Sequence, residues 1–162
     1  LFVAWVAYDR IEGERKSTQL VEYMQQNKLQ QLIKNKNYRG STFFNVDPLL
    51  NPVQIYAGYG LMNSNKLDEA VAKFEDGLEF SPYHFKTLLF IANIYGERGD
   101  FKNAIPYYER ALKVISTNTK ARQGLAISYF NNGQNDKIRP LIEGLETDHP
   151  SVVQIKQILN IR

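Results

Sequence analysis

The sequence predicts an all-α chain, a solenoid of stacked helical hairpins, and three observations carry that expectation. The first is the stretch 85–118, FKTLLFIANIYGERGDFKNAIPYYERALKVISTN, which sets small side chains at Ala92, Ala104 and Ala111 and large ones at Leu88, Ile91, Tyr95 and Tyr108 around the turn Gly99-Asp100-Phe101. Small residues let two antiparallel helices approach closely, and the large ones fill the space left between them. The second is a 34-residue period. Moving one period upstream places Ala57, Gly58, Leu61, Asn65, Ala70, Phe74 and Gly77 on the same positions, and moving one period downstream places Leu125, Ala126, Tyr129, Gly133, Ile138 and Ile142 there. The third is punctuation: Pro82, Ser116 and Pro150 close the second helix of each unit, proline because it lacks an N–H donor and disfavours helix in the residue before it.

Taken in order, the elements begin with LFVAWVAY, residues 1–8, apolar or aromatic throughout and ending at Asp9-Arg10. Two readings are open. One is a helix packed on the first repeat; the other is the exit of a transmembrane helix, since eight residues fall short of the roughly 20 needed to span a bilayer. From Glu12 to Asn37 the chain is polar and rich in helix formers, with Leu20, Tyr23, Met24, Leu32 and Ile33 about one turn apart, which predicts a second helix. Gly13 either breaks it from the first or weakens a continuous one. Residues 39–52, with Gly40, Asp47, Pro48 and Pro52 among Phe43, Phe44, Val46, Leu49 and Leu50, read as a loop packed on the first repeat. Together residues 1–50 form an N-terminal region outside the 34-residue phase.

Three repeats follow, at 51–84, 85–118 and 119–152, with helices expected near 51–64 and 68–80, 85–98 and 101–115, and 119–132 and 135–147. The third is the loosest, because Ile138, Ile142 and Leu145 replace small residues in its second helix. Pro140 falls inside that helix, which should begin late or kink. Beyond Pro150, Val152, Val153, Ile155, Ile158 and Leu159 recur at helical spacing after Ser151, predicting a capping helix over 151–161 with Ser151 as its N-cap.

Composition removes several function classes. The chain is 43% hydrophobic and 23% charged with no cysteine, which is ordinary globular usage without a disulfide framework or a thiolate metal site. Its formal charge of +3 comes from residues 1–40, with seven basic and four acidic side chains, while the remainder is balanced. Scattered cations, Lys28, Lys34, Lys36 and Arg39, do not make the clustered basic face that nucleic-acid binding requires, so no nucleic acid is expected. No HExxH, glycine-rich phosphate loop or G-x-S-x-G occurs. His84 and His149 fall beside prolines at the ends of second helices and read as exposed loop residues. No catalytic residue, metal site or cofactor is predicted, and the chain is expected not to be an enzyme.

The period, the small-residue positions and the turn make residues 51–152 resemble a tetratricopeptide-repeat array, a tetratricopeptide-type helical-hairpin solenoid of three repeats. Repeats of that type imply a concave surface lined by the first helix of each unit, which takes an extended peptide or a helix. Positions 5, 9 and 12 of each first helix face it in that repeat type. They hold Ile55, Tyr59 and Met62, then Leu89, Asn93 and Gly96, then Gln123, Ile127 and Phe130, with Phe90 adjoining. The expected partner is a protein or peptide segment of apolar or aromatic character. The alternative is that the N-terminal helices fill part of this groove. The chaperone-tail branch of the family uses a carboxylate clamp whose positions here hold Ile55, Tyr59, Phe90, Lys120 and Gly124. Only Lys120 fits, so that function does not carry over.

A further resemblance rests on LFVAWVAY, NVDPLLNPVQIYAGYG, SPYHFKTLLFIANIYGERGDFKNAIPYYERALKVI and TKARQGLAISYFNNG. With these the chain is similar to the C-terminal soluble region of O-antigen ligase or polymerase-like membrane proteins of Bacteroidetes type. It implies an interaction domain on the periplasmic side of a bacterial inner membrane, joined to a membrane part that serves lipopolysaccharide assembly. Two other readings stay open beside it, a soluble cytoplasmic adaptor of the same repeat type and a saccharide-binding module. No paired carboxylates at a glycosidase arrangement support catalysis on sugar.

Overall fold

The computed structural model describes residues 2–34, 52 and 54–162, without the side chain of Leu29. Regular structure among them is helical: α1 (Phe2–Gln25), α2 (Leu29–Lys34), α3 (Gln54–Asn63), α4 (Leu67–Phe80), α5 (Phe85–Glu97), α6 (Phe101–Val114), α7 (Thr119–Asn131), α8 (Arg139–Ile142) and α9 (Pro150–Ile158). A 3₁₀ turn at Asn135–Lys137 precedes α8. The expected loop with Phe43, Phe44, Val46, Leu49 and Leu50 lies outside the described residues, as do Lys36 and Arg39. The chain divides into two compact units, Leu1–Thr87 and Leu88–Arg162.

In the first unit α1 runs unbroken through Gly13. That glycine sits on the buried face with Ser17 and Leu20, spaced one and two turns on, so it serves close packing and does not interrupt the helix. The buried Ser17 hydroxyl donates to the Glu14 carbonyl at 2.9 Å, which satisfies it. The expected helix from Glu12 to Asn37 is corrected: the chain turns at Asn27 instead, where φ is +52°, and Lys28 N–H donates to the Tyr23 carbonyl at 2.8 Å. Packing of α1 begins only at Gly13; Phe2, Val3, Trp5, Tyr8 and Ile11 are exposed.

Both α1 and α2 pack on α3, and α3 packs on α4. The short α3 is consequently buried nearly all round, at Gln54, Ile55, Tyr56, Ala57, Gly58, Gly60 and Leu61. A Cβ at Gly58 would collide with the Phe74 ring of α4, so this helix pair closes only because position 58 is glycine. Burying Phe74 completely contributes on the order of 1.5–3 kcal/mol.

The turn between paired helices is the same throughout. Asn65, Gly99 and Gly133, one period apart, have φ of +58°, +75° and +72°. The residue after each donates to a carbonyl one turn back: Lys66 to Leu61, Asp100 to Tyr95 and Gln134 to Tyr129, all at 2.9 Å. A left-handed residue closed by this bond is the helix-ending geometry that asparagine and glycine adopt most readily. Asn27 repeats it. The pair α1 and α2 is therefore a hairpin with the same turn, four residues out of phase with the other three.

In the second unit, α6 is capped by Asp100, whose Oδ1 accepts from Asn103 N–H at 3.3 Å, and α7 by Asn118, whose Oδ1 accepts from Ala121 N–H at 2.9 Å. Pro106 lies inside α6 at an exposed position, and the helix continues through it. The third hairpin departs most from expectation. Its second helix, expected over 135–147, shrinks to the 3₁₀ turn and the four residues of α8. Pro140 is tolerated in that first turn, but Glu143 leaves helical geometry with ψ of 131° and Gly144 takes φ of +66°. The bulky Ile138 and Ile142 are fully buried there, packed with Leu125, Val152 and Ile155 in one core. The last helix, α9, starts at Pro150 with His149 at the N-cap position, where it makes no side-chain cap bond, so Ser151 is not the cap, and it ends at Ile158.

Candidate functional site

Within the second unit a cleft of about 420 Å³ is lined by α5, the start of α6 and α7, with Tyr108 beneath them. Tyr108 belongs to α6, yet it connects two other helices. Its Oη donates to Asn93 Oδ1 of α5 at 2.8 Å, and its ring lies against Gly124 of α7, where a Cβ would collide with it. Gly124 stands where α3 has Tyr56 and α5 has Phe90. A large side chain at that position in α7 would take the space the Tyr108 ring occupies.

Burial pushes the Tyr108 phenol up to about 12, and the nearby Glu97 carboxylate acts in the same direction. The hydroxyl is thus a fixed donor at neutral pH, and it engages the Asn93 oxygen. The Asn93 amide NH₂ has no partner among the described residues and borders the cleft, as do the exposed Lys120 ammonium and the Glu97 carboxylate. Gln123 is held from the side, its Nε2 donating to Thr147 Oγ1 at 2.5 Å. Ile127 and Phe101 supply the apolar part of the wall. On α7 but outside this lining, Tyr129 Oη donates to Glu109 Oε1 at 2.5 Å; burial first and then that carboxylate raise its phenol.

Of the residues expected to form a groove, Asn93 and Ile127 come together here, with Gly96 and Gln123. Leu89 and Phe130 are half-buried against the core of the second unit instead. Phe90 is half-buried on α5. Ile55, Tyr59 and Met62 all belong to α3 of the first unit. Ile55 is buried, and Tyr59 and Met62 are half-buried on a helix that α1 and α2 cover. Expectation missed Tyr108, Glu97, Phe101, Ser128 and His149 as lining, and it weighed Lys120 and Gly124 only as clamp positions, of which Lys120 alone fits. Lys120 and Gly124 are one turn apart on α7, the spacing that puts two residues on one face.

His84 is not an exposed loop residue. It is half-buried before α5, and its Nδ1 accepts from Thr87 N–H at 3.3 Å and pairs with the Thr87 hydroxyl at 2.8 Å, capping that helix. His149 is exposed at the cleft edge. Among the described residues no group of three or more His, Cys, Asp or Glu side chains gathers as a metal site would require.

Residues 85–118, which supply α5 and α6 with Asn93 and Tyr108, match the tetratricopeptide repeat family. This segment is a tetratricopeptide repeat. The tetratricopeptide-type fold extends beyond it: solved structures of MamA superpose with TM-scores of 0.66 (AMB-1) and 0.63 (MSR-1), each covering 94% of this chain and 78% and 82% of theirs. Sequence identities of 16% and 15% make this a likeness of fold. In sequence, the chain is 31% identical over 121 residues to the peroxisomal targeting signal receptor of Pichia angusta, across 73% of this chain. It is 31% identical over 97 residues to the receptor of Komagataella phaffii, across 59% of this chain. The chain spans only about a fifth of the length of these relatives, 21% and 17%. This chain and the MamA structures share the α-helical repeat architecture, a tetratricopeptide-type helical-hairpin solenoid.

Proposed function

We propose that the chain is a non-enzymatic scaffold that binds a segment of a partner protein in the tetratricopeptide cleft between α5 and α7. The observation carrying this reading is the pairing of the unengaged NH₂ of Asn93 and the unpaired ammonium of Lys120 with the apolar wall of Ile127 and Phe101. An extended peptide presents backbone carbonyls and alternate side chains together, and such a wall offers a partner to each. The lining is more polar than an apolar or aromatic partner alone demands, so the segment carries at least one acceptor beside its apolar side chain. The role of the similar yeast receptors, reception of a peroxisomal targeting signal, supports peptide binding as a class.

The test is selection of short peptides from a display library on the whole chain, followed by titration of the selected sequences. Asn93→Ala and Lys120→Glu should each weaken binding about tenfold, equivalent to ~1.4 kcal/mol, with the melting temperature held for Lys120→Glu and lowered for Asn93→Ala, which also removes the acceptor of the Tyr108 hydroxyl. Undiminished binding to both variants would remove the cleft as the site.

The finer reading is that this scaffold is the periplasmic tail of a bacterial O-antigen ligase-like glycan-assembly protein. Its support is the resemblance of the four stretches quoted above, and a cytoplasmic adaptor accommodates the cleft equally well. Hydrophobic spans of about 20 residues encoded ahead of Leu1 in the same reading frame would favour the tail; a start codon directly upstream would remove it.

A further inference from the structure

The first two turns of α1 present apolar side chains to solvent on every side. Phe2, Val3, Trp5 and Tyr8 are 72%, 80%, 48% and 66% exposed, and Ala4 and Ala7 are exposed between them. At roughly 100° per residue these positions encircle the helix. A helix docked on a folded partner sorts apolar from polar residues by side, giving a stripe. Here the sorting runs along the axis: apolar as far as Tyr8, then, with the exposed Ile11 the one exception, Asp9, Arg10, Glu12, Glu14, Arg15 and Lys16. Surroundings that are apolar all round and end at a plane across the helix are those of a bilayer surface. Trp5 and Tyr8, with apolar rings and a polar edge, suit the headgroup level at that plane.

We propose that residues 2–8 lie in a lipid bilayer, with the axis of α1 crossing its surface near Tyr8. Seven residues rise about 10 Å, so with Trp5 and Tyr8 at the headgroup level Phe2 and Val3 reach the edge of the hydrocarbon layer. None of the described helices is long and apolar enough to cross a membrane. The flanking charges balance, three acidic against three basic in residues 9–16, and Arg15 Nη2 is held by Glu12 Oε2 at 2.8 Å. Burial of apolar surface therefore drives the contact, and anionic lipid is not required. The proposal rests on α1 alone and is independent of the cleft.

Trp5 is the only tryptophan in the chain, so its emission reports this segment directly. With phosphatidylcholine vesicles, the whole chain should co-float, its emission should shift to the blue, and lipids brominated on the acyl chain should quench it. The double variant Val3→Glu, Tyr8→Glu keeps Trp5 and should partition more than about tenfold less, since a charge in the apolar layer is strongly disfavoured. Its circular dichroism melt should not move, because both residues are exposed. Three results would overturn the proposal: emission unchanged by vesicles, binding confined to anionic vesicles and lost in high salt, or undiminished partition of the variant. A blue shift without lipid that grows with protein concentration would also overturn it, by making a second copy of the chain the occupant.

Discussion

The Tyr108 hydroxyl gives alkaline stability a direction. Its phenol ionises near 10 in the unfolded chain and near 12 in the fold, so between those values the fold retains a proton that the unfolded chain has lost. Stability contributed by the neutral phenol is complete below pH 10 and is lost as pH rises to 12, by about 2–3 kcal/mol. Tyr129, raised by burial and by Glu109, contributes in the same direction. Chemical denaturation across this range should show the fall, and Tyr108→Phe should flatten it while costing about 0.5–1.5 kcal/mol at neutral pH through the lost bond to Asn93. A fall of equal size in the variant would place the titration elsewhere. Phe130→Ala should act on stability, since this side chain is half-buried against the core. A fraction of the 2–5 kcal/mol typical of such truncations is expected in its unfolding curve. The 34-residue period singled out Asn93, Gln123 and Ile127 at equivalent positions of their helices, and all three line the cleft. It could not place the floor. The size of the cleft depends on the Tyr108 ring meeting a glycine sixteen residues later, a pairing that becomes visible only when positions 56, 90 and 124 are compared and Gly124 stands out as small.

At the scale of elements, the turns were the most legible feature, since Asn65, Gly99 and Gly133 occupy one register and one backbone conformation. The hairpin of α1 and α2 was not legible by the same route. Asn27 carries the identical turn, but a search at fixed period passes over a copy displaced by four residues, and Gly13 drew attention as a breaker when its burial makes it a packing position. In the third repeat Pro140 correctly signalled a late start; the early end came from Glu143 and Gly144, for which the apolar spacing gave no warning. Pro106 is a separate test. It sits at an exposed interior position of α6, where proline removes a hydrogen bond to the carbonyl one turn back. Pro106→Ala should raise stability by about 1 kcal/mol or more, read as a higher denaturation midpoint with unchanged slope. Ala104→Trp should do the reverse. Its side chain is fully buried, and overpacking so close a contact costs about 1–3 kcal/mol and more for a ring of that size, so an unchanged melt would mean that the core lies elsewhere.

For the molecule as a whole, occupation of the cleft should register far from the bound atoms. A peptide that binds only the folded chain stabilises it by about 2.7 kcal/mol at a hundredfold excess over its Kd, so a selected peptide should stabilise the wild type about twice as much as Lys120→Glu at the same concentration, read as a larger rise in melting temperature. The contact between Tyr108 and Gly124 also bears on how such a chain lengthens. Repeat proteins grow by tandem duplication, and a second copy of residues 85–118 placed after the first would set Phe90 of the new copy against Tyr108 of the old, ring against ring, where Gly124 now leaves room. Duplication of this unit therefore requires the Tyr108 ring to turn elsewhere, as Phe74 does sixteen residues before Phe90 by lying against Gly58, and the copy would not keep the floor of the cleft.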